Sequence, residues 1–322
     1  MTKEKETKKI VRKPIKRYKM AAKEQRAAYL FLIPAFLGLS LITYLPVLAS
    51  FAIGFTNLRV GHFMKVVKID PLQFIGIENF IQIFSRPDID FLNSIKVTVY
   101  FSVLAVAGSV VYSLIIAMLL NRKMPARAFF RAIFYIPYIL SATAVMIGWK
   151  FLLESDGLIN YILVYILGMD KIHFLQEATT VIPTLAVIAV WTCGNLIVIF
   201  LAGLQNVPRE YHEAAEIDGA NFWQRFWNIT IPFMTPIIFY NLLMSLVVNL
   251  QVVVPALAVT GGAPGKATMF MSYMIYNRAF VSGDFGKAGA MAFVFFVVAA
   301  ILAALLFATS NRWIFYEGGD DK

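Results

Sequence analysis

Apolar positions gather into six long runs, at roughly 28–54, 94–120, 131–153, 180–204, 230–256 and 286–309, with no charge at their centres. Each exceeds the roughly 20 residues that an α-helix needs to cross about 30 Å of hydrocarbon. In lipid only helices and closed barrels satisfy every backbone N–H and C=O, and the short alternating segments of barrel strands are absent. The pattern predicts an all-α membrane protein: a basic tail 1–27, a six-span domain 28–310 and a short tail 311–322.

Composition supports this reading. Of 322 residues 59% are hydrophobic and 15% charged, where a soluble domain carries nearer a quarter charged. Mean hydropathy is +0.70. Cys193 lies inside an apolar run and reads as a small packing residue, while His62, His173 and His212 fit no ligand spacing. Neither a disulfide framework nor a metal site is predicted.

Charge sets the orientation. Residues 1–27 hold eleven Lys or Arg against three Glu. The first apolar run is too long for a secretory signal, so the tail is expected to stay cytoplasmic by the positive-inside rule. Of 29 Lys and Arg, 19 then fall inside: the tail, Arg122, Lys123, Arg127, Arg131, Arg209, Arg225, Arg312 and Lys322. Both termini are placed inside. The net charge of +10 is explained by a basic tail on anionic lipid, with no nucleic acid required.

This topology puts loop 205–229 on the cytoplasmic side, and within it EYHEAAEIDGANFWQRFWNITIPF, residues 210–233, interrupts the grease. At 100° per residue Glu210, Glu213 and Glu216 share an arc of about 120°. Ala215 and Gly219, four apart, form a bare face, which permits close approach of another backbone. Gly219 is also a natural helix stop. Phe222, Trp223, Phe226 and Trp227 follow as an aromatic patch. The residues alone leave two readings open: an interfacial helix with tryptophans at headgroup level, or a docking helix whose acids meet a basic partner.

The spacing narrows the choice. Glu213-Ala214-Ala215, three residues, Gly219, nine residues, Ile229, one residue, then Ile231 and Pro232 resembles the EAA loop of permeases in binding-protein-dependent ABC importers. Ile231 stands where that family usually has Leu. FIGIENFIQIF at 74–84, TGGAPGKAT at 260–268 and MIYNRAF at 274–280 are similar to outer-loop segments of the sugar permeases of maltose and glycerol-phosphate type. The resemblance runs from about residue 30 to the C-terminus.

It implies a type I importer permease fold in a bacterial or archaeal cell membrane, with a second homologous permease chain, a cytoplasmic ABC ATPase dimer and an external solute-binding protein as partners. Glu210, Glu213, Ala214, Ala215, Glu216, Gly219 and Pro232 would form the ATPase-coupling segment, with Glu213 opposite a basic ATPase residue. The outer loops 55–93 and 257–285 would receive the binding protein. No cofactor is expected on this chain; ATP and Mg belong to the ATPase, and no phosphate-binding G-x-x-x-x-G-K-[ST] run occurs. The chain is not expected to be an enzyme.

Ionisable groups deep in a span mark ion or proton coupling, yet Lys96, Lys150 and Lys287 all lie near predicted outer ends. Tyr138 in the third span, Trp191, Thr192 and Asn195 in the fourth, and Ser245 and Asn249 in the fifth offer hydroxyl, amide and aromatic groups instead. Such groups bind sugars, and they also make ordinary interhelical hydrogen bonds. Aligned outward from the loop motif, ligand-facing positions of the maltose-type permeases fall on these six. Tyr138, Ser245 and Asn249 are similar in identity, while Trp191, Thr192 and Asn195 differ, which implies a different carbohydrate. A further amide position falls on Val252, beside Gln251. Glycerol phosphate or another polar solute is the alternative cargo, and a secondary carrier is the rival class.

Overall fold

The computed structural model describes residues 17–60, 72–85, 90–122, 124–310 and 312–315, and every regular element among them is helical. Residues 1–16 of the basic tail, His62, Lys65, Lys68, Arg86, Lys123 and most of the C-terminal tail lie outside the described residues.

Two units divide after Ala52. The first is one continuous helical run, α1 (Arg17–Leu39) and α2 (Leu45–Ile53), joined by a π-helical stretch Ser40–Tyr44. It starts ten residues or so before the apolar run, because KMAAKEQRAA is built of strong helix formers. Residues Glu24–Ile53 are long and apolar enough to span, and their large side chains, such as Phe31 and Ile42, are exposed.

The second unit is organised around α4 (Phe91–Asn121), which packs against α8 (Val181–Trp191), α9 (Gly194–Asn206) and α12 (Ile231–Leu250). Its buried face carries Ser94, Thr98, Ser102, Ala105, Ser109, Ser113 and Ala117. Side chains this small let four helices approach closely where lipid supplies no hydrophobic drive. Gly108 serves the same end, since a Cβ there would stand 2.7 Å from Val190.

The third and fourth predicted spans are not single rods, and the fifth is one helical run, Phe222–Leu250, that ends short of its predicted limit. The third is α5 (Arg127–Ile139) followed by α6 (Ala142–Leu153); α5 is bent by 98° from the run Ala142–Ile166, which contains α6 and α7 (Leu158–Tyr161). The fourth breaks between α8 and α9 with a 49° bend. The fifth stops at Leu250 and resumes as a short π-helical turn, Ala256–Thr260. Each break has a local cause. Pro137 inside α5 cannot donate to the carbonyl of Ile133, and Pro255 cannot donate to that of Gln251. The Thr192 hydroxyl donates to the carbonyls of Ala189 (3.0 Å) and Ile188 (3.3 Å), and such back-bonding bends helices.

In sequence α3 (Glu78–Ser85) falls between the first and second spans. Asn79 of the quoted 74–84 segment is buried there, and its amide donates to the carbonyls of Gly54 (2.9 Å) and Thr56 (2.8 Å). The chain before α14 (Phe285–Ser310) pairs with the same stretch through Val60 N–H to Gly283 O, 2.8 Å. Lys287, expected merely near an outer end, is 4% exposed and lies 3.5 Å from Asp284, which also meets Arg59 at 3.4 Å. A buried ammonium needs such a counter-ion. The 260–268 loop folds on itself through the Thr260 and Thr268 hydroxyls, 2.6 Å apart, and leads into α13 (Met271–Tyr276).

Candidate functional site

The two breaks and the chain that follows Leu250 meet. A cavity of about 400 Å³ is lined by Pro137, Tyr138, Leu140 and Ala142 at the first break, Thr192, Cys193 and Asn195 at the second, and Gln251, Val252 and Val253 after Leu250. Ser245 and Asn249 line it from α12. Non-helical backbone at membrane depth is tolerated only where protein buries it or where it faces a cavity, and here it does the latter. Gly194 makes the meeting possible: a Cβ would stand 2.8 Å from the Phe134 carbonyl oxygen and 3.2 Å from Tyr138 Cβ, so only glycine lets α9 touch α5 and bring Asn195 beside Tyr138.

Five of the six residues expected on the solute path thus line one cavity. Within it the Asn249 amide donates to the Ser245 carbonyl (2.8 Å) and hydroxyl (3.1 Å). Trp191 is the exception. It stacks edge-on against Trp149 of α6 at 5.4 Å and is absent from the lining. The break at Thr192–Cys193 resets the helical phase, so Trp191 and Asn195 do not lie on one continuous helix. Among the described residues no Asp, Glu, Lys, Arg or His lines the cavity.

Loop 205–229 leaves α9 through Val207 and Pro208 and forms α10 (Arg209–Ile217). Pro208 precedes the first turn and Glu210 sits in it, where a negative charge meets the positive helix end. The helix stops by a Schellman closure: Ala220 N–H donates to Ala215 O (2.8 Å) and Gly219 N–H to Glu216 O (3.1 Å), with Gly219 at φ +77°. Gly219 therefore belongs to the cap rather than to a bare helical face. Its Cβ would meet nothing within 4 Å, so the backbone conformation, not crowding, calls for glycine.

At 100° per residue, Glu210, Glu213, Ala214 and Ile217 share one side of α10, and all four are exposed. His212 and Ala215 are half-buried on the other side. Glu216, expected to face a partner, is instead ion-paired with Arg225 of α11 (Phe222–Arg225). The acidic arc is real at Glu210 and Glu213, but Arg225 claims its edge. Burial, and then the Arg225 charge, push His212 below the usual histidine range, so the neutral ring is favoured there. Ile217, which the sequence reading passed over, is 88% exposed; an isoleucine inside an acidic run was the available signal.

The aromatic patch follows a capping box, in which Asn221 and Gln224 exchange side-chain and backbone hydrogen bonds of 2.8 and 2.9 Å. Phe222 lies beneath the Arg122 guanidinium at 5.7 Å, tying the loop to the end of α4. Trp223 and Trp227 stay exposed. Tyr211 of α10 stacks on Phe233 at 4.9 Å, just past Pro232 at the entry to α12.

Residues 109–315 match the family described as binding-protein-dependent transport system inner membrane component, a stretch that holds the cavity breaks and the whole of loop 205–229. The chain belongs to that family. This permease is also similar to the probable ABC transporter permease protein YesP of Bacillus subtilis, 35% identical over 311 residues, covering 95% of this chain and 97% of that one. The multiple sugar-binding transport system permease protein MsmF of Streptococcus mutans is 32% identical over 246 residues, 74% of this chain and 82% of that one. The fold of the present chain is that of a chain in the crystal structure of a bacterial alginate ABC transporter in complex with alginate pentasaccharide-bound periplasmic protein: TM-score 0.76, 22% identity, 92% of this chain and 98% of that one. The all-helical, broken-span architecture is therefore an importer permease fold.

Proposed function

We propose that this permease forms half of the translocation path of an ABC importer for a neutral mono- or oligosaccharide. The carrying observation is the cavity at the two breaks and the chain after Leu250, with hydroxyl, amide and aromatic groups on its wall and no Asp, Glu, Lys, Arg or His among the described residues that line it. Hydroxyls and amides hydrogen-bond sugar hydroxyls, and Tyr138 offers a ring face; a phosphate or uronate would call for Arg or Lys. The similarity to MsmF, whose name includes multiple sugar binding, points the same way.

A second, homologous permease would supply the other half of the path, an external binding protein would deliver the sugar, and a cytoplasmic ATPase dimer would use ATP and Mg. The outward side of α10, Glu210, Glu213, Ala214 and Ile217, would seat in the ATPase. Tyr211 fastens α10 to the entry of α12, and Glu216 ties it to α11. Closure of the ATPase pair would move α10, and with it the entry to α12, whose far half lines the cavity.

Reconstitution of the assembled complex in proteoliposomes tests this. Labelled glucose, maltose and maltotriose are offered beside glycerol 3-phosphate and digalacturonate. At least one neutral sugar is expected to accumulate, only with ATP on the ATPase side, and the anions are expected to be excluded. Accumulation of the anions alone, or uptake indifferent to ATP, overturns the proposal.

A further inference from the structure

The chain past the sixth span returns to the coupling loop. After α14 it turns through the N–H groups of Trp313 and Ile314, both bonded to the Ser310 carbonyl (3.2 and 3.0 Å). Phe315 N–H then donates to the Thr235 hydroxyl oxygen at 2.8 Å. That hydroxyl in turn donates to the Pro232 carbonyl at 2.7 Å. The second bond has a covalent cause. Pro236, four residues on, has no N–H, so the Pro232 carbonyl lacks its helical donor. Thr235, 7% exposed, fills the gap and leaves its oxygen free to accept from Phe315.

Aromatic contacts run in parallel. The Phe315 ring meets Phe233 at 5.5 Å, and Phe233 meets Tyr211 of α10 at 4.9 Å. Trp313 meets Phe239 of α12 at 6.0 Å. Phe315, with Asn206, Val207 and Pro236, also walls a cavity of about 210 Å³ at the point where the chain leaves α9 for α10. Phe315 thus stands where the coupling loop departs from one span and enters the next.

We propose that residues 312–315 are a strap that positions the coupling helix. Through Phe315, Phe233 and Tyr211 they hold α10 against α12, so that displacement of α10 is carried to the sixth span as well as the fifth. The strap rests on the reading of α10 as the coupling helix. Phe315 is a positioning residue; the hydroxyl of Thr235 and the two prolines make its seat.

The test compares ATP hydrolysis by the assembled complex in proteoliposomes with and without binding protein loaded with the panel sugar that accumulates. Phe315→Ala is expected to lower the stimulated-to-basal ratio by about fivefold or more, the low end of ordinary coupling between sites, at unchanged yield of complex. Phe315→Tyr is expected to keep the ratio. Thr235→Val should lower it and Thr235→Ser should not, which gives an independent reading should Phe315→Ala fail to assemble. Unchanged ratios in Phe315→Ala and Thr235→Val, in a complex that Gly219→Val uncouples, overturn the strap alone. Silence of all three overturns the coupling reading and the strap with it.

Discussion

Gly219→Val is expected to reduce sugar-stimulated ATP hydrolysis and uptake by about tenfold or more, while Gly219→Asn keeps most of both. The reason lies in the φ of +77°. A β-branched residue in this region costs more than the roughly 1–2 kcal/mol charged to an ordinary residue in the left-handed conformation, whereas Asn adopts it readily. Space does not enter, since a Cβ at 219 meets no atom within 4 Å. If φ shifts to relieve the introduced valine, the two closing bonds to Ala215 and Glu216 go with it, and Glu216 is also the partner of Arg225. The helix would then enter the aromatic segment at a different angle. Rates measured on the reconstituted complex decide this; equal activity of the Val and Asn variants would sink the capping account.

The second large effect concerns the cavity. Asn195→Leu is expected to cut the efficiency of sugar uptake by about tenfold to a hundredfold, because a hydrogen-bonding partner is lost and the sugar group it served is left unsatisfied. Trp191→Phe should leave uptake within about twofold, since its effect is confined to one edge contact with Trp149 of ordinary strength. The sequence places both residues on the same path, and only the broken fourth span separates them. Uptake as a function of sugar concentration distinguishes the two cases. Comparable losses in both variants would mean that α8 and α9 act as one continuous helix in the membrane.

These contrasts mark what a sequence shows and what it withholds. The apolar helices were legible because apolar run length is a one-dimensional property; four of them are long and apolar enough to cross a membrane, or six if each bent pair is one span. Loop 205–229 stood out because its acids, alanines and glycine stand at fixed spacing. The breaks were not legible. Pro137, Thr192 and Pro255 are individually tolerable inside a membrane helix, and the shared cavity that accommodates the freed backbone is not written in any local pattern. The cavity-lining residues were picked out by their chemistry and by the family resemblance; one helical face holds within α12 for Ser245 and Asn249 and fails across Thr192–Cys193. Glu216 reads as a free acid until α11 brings Arg225 back to it. The bond from Phe315 to Thr235 spans 80 residues, and no local pattern announces it.

The central claim is that α10 seats in a cytoplasmic ATPase rather than resting on the lipid surface, and Ile217 reports on it most directly. It is 88% exposed and shares the outward side of α10 with Glu210 and Glu213. A photocrosslinking amino acid placed at 217 in membranes holding the assembled complex should give, on illumination, an adduct with the ATPase subunit. An adduct with phospholipid alone, at undiminished transport, would contradict the claim and leave loop 205–229 as an interfacial anchor.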